Sequence, residues 1–213
     1  MIALGPLLAP FIQEPLSPEQ FRQLQAHLEL LLKWNEKLSL TAIRDPQEIV
    51  RRHFGESLFT GAQLDLKPSS RLADLGSGAG FPGLPIAVLR PEIKVTLIES
   101  QQKKVAFLRE VNRSAQITNA SVYAGRAEEL SSKSQIVTMR AVERFASVLP
   151  IAASLLEAHG ELALLIGAAQ AQIARTKLLH FEWKEPVSIP ESRERVLLVG
   201  SKSSAVARSP GRE

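Results

Sequence analysis

The chain has 213 residues, 45% of them hydrophobic and 23% charged, with a formal charge of +4 and no cysteine. That length suits one well-buried α/β domain with an appendage and is too short for two full domains. The missing thiols exclude disulfides, thiolate zinc sites and cysteine nucleophiles.

In chain order, the opening MIALGPLLAPF is apolar but short, lacks a basic flank and is interrupted by Pro6 and Pro10, so it reads poorly as a signal peptide. No later run is long enough to span a bilayer. A soluble, cytoplasmic protein is expected, and nothing demands more than a monomer. Ser17-Pro18-Glu19-Gln20 is a capping box with proline at the first helical position, and Phe21, Leu24, Leu28, Leu31 and Leu32 recur behind it at helical spacing. Asp45-Pro46-Gln47-Glu48 starts a second helix, whose buried side carries Ile49, Val50, Phe54 and Leu58, with His53 on the same side. These helices, joined by a loop from Ser39 to Arg44, are expected to form a helical cap over residues 1–62.

From Arg71 the pattern alternates. Strands are expected at Arg71–Leu75, Lys94–Glu99, Ala120–Ala124, Gln135–Met139, Glu161–Ile166, about His180–Ser188, and Arg195–Ser201. Helices are expected at Leu84–Leu89, Gln102–Ser114, Phe145–Ala158 and Ala168–Leu179. Such alternation implies a mostly parallel, Rossmann-like sheet of seven strands over residues 63–201, with helices on both faces and a closing antiparallel hairpin. The stretch 202–213 reads as an unstructured tail.

The chemistry-bearing stretch is Leu72–Gly83, LADLGSGAGFPG: an apolar strand ending in an acid and then a glycine turn, the way such sheets bring backbone close to an adenosine-containing ligand. Two registers fit. Gly78-Ala79-Gly80-Phe81-Pro82-Gly83 matches the dinucleotide fingerprint, with Glu99 placed for a ribose. Asp74-Leu75-Gly76-Ser77-Gly78-Ala79-Gly80 matches the turn of S-adenosylmethionine-dependent methyltransferases, in which the same Glu99 serves. Three features favour the second register. Asp74 stands where a dinucleotide fold is apolar, Pro82 and Pro85 remove two amides a pyrophosphate would use, and seven strands ending in a hairpin suit the methyltransferase sheet. Asp74 has a second reading as a tie for its own turn, and His53 as a satisfied core histidine. Basic residues at Arg51, Arg52, Lys103, Lys104, Arg109, Arg126, Arg140 and Arg144 fit a polyanionic partner near the carboxyl ends of the strands.

Several segments together resemble the small-subunit ribosomal RNA guanine-N7 methyltransferase family (RsmG, also called GidB). They are WNEKLSLTAIRDPQEIVRRHFGESL, LADLGSGAGFPGLPIAVLRPE, LIESQQKKVAFLREV, RAEEL and MRAVERF, spread from about Leu30 to Arg195. The resemblance implies a class I methyltransferase fold, S-adenosyl-L-methionine as cofactor, no metal, and 16S ribosomal RNA of the small subunit as partner. It places Gly76, Gly78, Gly80 and Phe81 along the methionine end of the cofactor, and Asp74 and Ser77 of the same loop are expected to bind the cofactor as well. Glu99 and Ser100 would meet the ribose, and Ala127 and Glu128 would flank the adenine. Arg140 would lie near the methyl donor and target base, with Asn35 and His53 facing the same site. Two departures stand out: Leu165-Ile166-Gly167 where the family carries lysine before glycine, and HFGESL with Glu56 where it carries aspartate. The first removes a candidate RNA contact. A methyltransferase with another RNA or small-molecule target, a nicotinamide-dependent oxidoreductase and a silent ribosome assembly factor are the rival readings.

Overall fold

A computed structural model describes residues 2–140 and 144–202. The chain opens with a short helix α1 (Leu4–Leu8) and a 3-10 turn (Ala9–Phe11). Neither was expected, because the prolines mask the signal. Pro6 falls within the first turn, where amides have no intrahelical partner to lose. Leu4, Leu8 and Phe11 are buried. Helix α2 (Pro18–Asn35) starts at the expected capping box, with Ser17 Oγ accepting from the Gln20 amide and the Gln20 side chain accepting from the Ser17 amide. Asp45 caps α3 (Pro46–Ile49), which passes into a π-helical turn (Val50–Gly55) and then α4 (Glu56–Gln63) as one helical run.

The sheet contains β1 (Arg71–Leu75), β2 (Lys94–Glu99), β3 (Ala120–Ala124), β4 (Ser134–Arg140), β5 (Leu156–Gly167), β6 (Phe181–Trp183), β7 (Val187–Ser188) and β8 (Arg195–Lys202). Its order is β3-β2-β1-β4-β5-β8-β6, with β7 also paired to β8. Strands β1 to β5 are parallel, and β8 runs antiparallel to β5, β6 and β7. The intervening helices are α5 (Gly83–Leu89), α6 (Gln102–Ala115), α7 (Phe145–Ser154) and α8 (Gln170–Lys177).

Three expectations are corrected. The strand expected at His180–Ser188 is two, because the chain leaves the ladder around Pro186, which has no amide to donate. The helix expected to reach Ala158 stops at Ser154, since the Ser134 amide takes the Leu155 carbonyl and Leu156 already pairs with Ser134. Lys202 closes β8 opposite Phe181 instead of opening a tail, and residues from 203 on lie outside the described ones.

The sheet is buried on both faces. Leu72, Leu97 and Ile136 join Leu24, Leu28, Leu31, Phe54 and Leu58 of the cap and Leu84 and Phe107 of α5 and α6 in one cluster. Ala73, Leu75, Ile98 and Met139 face α7 and α8 in the other. The chain turns to opposite sides after β1 and β4, which opens a crevice at their carboxyl ends.

Candidate active site

Three left-handed glycines build the loop after β1: Gly76, Gly78 and Gly80 have φ of 70°, 55° and 89°. L side chains meet the following carbonyl in this region, so the turn depends on glycine. The amides of Gly76 and Ser77 bond the Ile98 carbonyl, anchoring the loop to β2. Glu99, at the end of β2, accepts from the Gly78 amide at 3.1 Å and the Gln101 amide at 2.8 Å. Each of its oxygens keeps a further lone pair.

Glu99 lines a cleft of about 590 Å³ with Gly76, Ser100, Ala127, Glu128 and Arg144. That volume is within the range of small-molecule sites. Another depression, of about 650 Å³, lies by Arg71, Gln135 and Glu161 at the amino ends of the strands, the edge where such sheets do not bind ligands.

Asp74 does not reach the cleft. It is fully buried, its Oδ1 accepting from the Thr138 hydroxyl at 2.9 Å and its Oδ2 from the Gly83 amide at 3.1 Å. Burial raises its pKa to about 6, against the pull of those hydrogen bonds. Ser77 also turns inward, donating to the Asp74 carbonyl at 2.9 Å. The start of α5 is thereby closed. Pro82 and Pro85 have no amide, the Gly83 amide is held by Asp74, the Leu84 amide by the Gly80 carbonyl and the Ile86 amide by the Pro82 carbonyl. No donor in that first turn is left for a pyrophosphate.

Phe81 faces the cap. Its ring stacks with His27 at 4.9 Å and with His53 at 5.0 Å, and meets Phe54 edge-on at 4.9 Å. Beyond it runs a polar chain. The Asn35 side-chain oxygen accepts from the Thr41 amide at 3.0 Å, and Thr41 Oγ1 lies 2.7 Å from His53 Nε2. His53 Nδ1 lies 2.7 Å from Arg140 Nη2, which also donates to the Arg52 carbonyl at 2.8 Å. Arginine can only donate, so Nδ1 accepts and Nε2 carries the proton. Burial first, then the neighbouring Arg140, Arg52 and Arg195 charges, push the His53 pKa down to about 2. The ring is neutral. Glu56, 1% exposed, accepts from Arg52 Nε at 3.1 Å and Arg195 Nε at 2.9 Å, with Arg140 at 3.5 Å. Burial lowers the Arg140 pKa to about 10, and the Glu56 charge opposes that fall.

The residues singled out from sequence therefore fall into three groups: Asp74 and Ser77 hold the glycine turn from beneath, Gly78 and Gly80 shape that turn without bordering the cleft, and the rest lie on two surfaces. Gly76, Glu99, Ser100, Ala127 and Glu128 border the cleft. Asn35, His53 and Arg140 form the polar chain, and Phe81 stands against it through His53. Ile166, at the family lysine position, is buried and apolar. Residues 20–197 match the family model GidB, rRNA small subunit methyltransferase G. The chain belongs to that family.

A ribosomal RNA small subunit methyltransferase G from Xanthomonas oryzae pv. oryzae is 41% identical over 143 residues, a stretch covering 66% of this chain and 66%, just under two thirds, of the relative. The namesake from a Roseiflexus species is 39% identical over 197 residues, covering 86% of this chain and 82% of its own. Among solved structures, a SAM-dependent O-methyltransferase from Thermotoga maritima superimposes with a TM-score of 0.58 at 18% identity, over 86% of this chain and 73% of its own. The class I methyltransferase fold is shared.

Within the rRNA small subunit methyltransferase G frame, sequence reasoning missed Thr138, His27, Thr41 and Arg195. Thr138 and His27 carried a usable signal, each a polar side chain at a position that alternation or helical spacing assigns to the core. Thr41 and Arg195 carried none, because their partners are distant in sequence or in the loop geometry.

Proposed function

We propose that this chain transfers the methyl group of S-adenosylmethionine to N7 of a guanine in the 16S RNA of the small ribosomal subunit, in the cytoplasm. The observation that carries the cofactor half is the closed start of α5. A dinucleotide would bring a pyrophosphate to a helix end with no free amide, whereas S-adenosylmethionine has no phosphate. The donor set fits that ligand: a strand-end carboxylate with spare lone pairs for a ribose, and a left-handed glycine turn with no side chains in the way. Gly76, Gly78, Gly80 and Phe81 hold the methionine end, Glu99 and Ser100 the ribose, and Ala127 and Glu128 the adenine. Asp74 and Ser77 hold the loop from beneath.

Bound there, the cofactor supplies an electrophilic sulfonium methyl group. Guanine N7 has a free lone pair, so no proton need leave before it attacks, and no general base is required. The neutral His53, with both ring nitrogens engaged, suits that chemistry. Asn35, His53 and Arg140 shape the side of the site that takes the target base, and alignment does most of the work. The base must be unpaired or turned out to enter. The family's substrate supports the RNA half of the reading.

The test is methyl transfer to immature small subunits, naked ribosomal RNA and free guanosine, with mass spectrometry of the product. N7-methylguanine in one or both RNA substrates is expected. Transfer to guanosine alone would end the RNA reading, and calorimetric binding of NAD without S-adenosylhomocysteine would end the methyltransferase reading.

A further inference from the structure

His27 lies on the apolar face of α2 and is 1% exposed. Its Nε2 is 2.8 Å from the Ala79 carbonyl oxygen, in the middle of the glycine loop. A carbonyl only accepts, so Nε2 carries the proton and donates. Nδ1 is then a bare acceptor, buried without a hydrogen-bond partner among the described residues. Burial keeps the ring neutral, with its pKa lowered to about 4.

An apolar side chain would fill this space without stranding an acceptor, and a stranded acceptor destabilises a fold. The surroundings already favour such a side chain: Phe54 and Phe81 both lie 4.9 Å from the ring, and Phe107 lies 6.1 Å away. What histidine adds is the donor. Ala79 sits between Gly78 and Gly80, at φ of 55° and 89°. The Gly80 amide ties one end of the Ala79–Gly80 peptide to the Ser77 carbonyl at 2.7 Å, and His27 ties the other end, its carbonyl. The approach is close: a Cβ on Gly80 would lie 3.3 Å from His27 Cε1.

We propose that His27 is a positioning residue for the cofactor loop. From the cap it fixes the Ala79 peptide, and through it the left-handed turn, so docking of the cap preorganises the cleft. This rests on the S-adenosylmethionine reading.

Two variants of the full chain separate the donor from the ring. His27→Phe keeps an aromatic ring and deletes the donor; His27→Gln keeps a donor at a similar reach and deletes the ring. Calorimetry with S-adenosylhomocysteine is expected to show about tenfold weaker binding for His27→Phe at a Tm near the parent's, because the stranded Nδ1 is removed while the Ala79 carbonyl loses its donor. His27→Gln is expected to bind within about threefold of the parent despite a lower Tm. Parental affinity in His27→Phe, or losses in both variants that follow Tm, would overturn the proposal. Should His27→Phe not fold, the long-range 1H–15N spectrum of the unaltered protein reads the tautomer directly. A proton on Nε2 is expected, and one on Nδ1 overturns the proposal. If the unaltered protein fails to bind S-adenosylhomocysteine, the cofactor reading falls too, an outcome distinct from any difference between variants.

Discussion

Asp74 and the two cap histidines titrate in opposite senses. Folding raises the Asp74 pKa from 3.8 to about 6, so between those values the folded chain holds a proton that the unfolded chain has lost. The stability from that proton is complete below pH 3.8 and disappears as pH rises through 6. His27 and His53 fall from 6.5 to about 4 and about 2, so the unfolded chain binds their protons first. Their stability is complete above pH 6.5 and is lost as pH falls. Between pH 6 and 4 two histidines therefore work against one carboxylate, leaving a loss of at most about 1.4 kcal/mol per pH unit. Asp74→Asn removes the opposing group, and its amide still satisfies the Gly83 amide and a rotated Thr138 hydroxyl. Urea unfolding across this window should show about twice the parental slope; equal slopes would mean Asp74 does not titrate there. Glu56 poses a different problem, one carboxylate among three guanidinium groups brought from the cap, β4 and β8. Glu56→Gln leaves three cations around a neutral amide. A loss on the order of 3 kcal/mol is expected, with methyl transfer falling further than S-adenosylhomocysteine affinity, because Arg140 loses its counter-charge and the cofactor cleft does not. A Tm within a degree or two of the parent would sink that account.

The strand–loop–helix unit β1–α5 shows how little room the local design leaves. A Cβ on Gly83 would lie 2.5 Å from Leu97 Cδ2 and 2.8 Å from Asp74 Oδ2, so Gly83→Ala pushes α5 off the sheet or breaks the tie that closes it. A Cβ on Gly78 meets only the Gly76 carbonyl at 3.8 Å, and Gly78→Ala is strained by its φ of +55° alone. Overpacking costs about 1–3 kcal/mol and a left-handed alanine about 1–2. Since Gly83→Ala adds a severed hydrogen bond, its Tm is expected to fall below that of Gly78→Ala; the reverse order would place the strain in the backbone instead. Much of this unit could be read in advance, because its signals are local. The bounds of β1, β2 and β3 follow from apolar runs punctuated by glycine and proline, and the start of α2 follows from four consecutive residues. The aspartate ahead of the glycines marked the right register, yet nothing in the pattern says that its carboxylate points inward. Arg140 was legible as a strand-end arginine, but its partner Glu56 stands 84 positions earlier, on a helix whose π turn no hydrophobic period announces. The end of α7 was likewise set by capture of Leu156 in the ladder, a tertiary event that leaves no mark in the stretch itself.

Over the whole molecule, the cap and the sheet are joined more tightly than a division at residue 62 suggests. One cluster runs from Leu4 and Leu24 through Phe54 to Leu84, Leu97 and Phe107, so the cap has no core of its own. The second cluster lies across the same strands, whose successive residues point to alternate faces, so neither face can be exposed without opening the other. We infer a single folding unit. The chain's two tryptophans report on its two sides. Trp34 on α2 packs edge-on against Phe107 at 5.6 Å, and Trp183 on β6 stacks with Phe181 at 5.5 Å. The single-tryptophan variants Trp34→Phe and Trp183→Phe should therefore each unfold in one transition that coincides with the far-UV signal of the same variant. Adding S-adenosylhomocysteine at about a hundred times its Kd stabilises by about 2.7 kcal/mol, a rise of about 5–10 °C for a chain this long. Both tryptophans must report that rise equally, although Trp183 is remote from the glycine loop. If the Trp34 signal moved at a lower temperature than the sheet, or rose alone with ligand, the cap would be a separately melting lid and its hold on the loop through His27 and Phe81 a local contact instead of part of the fold.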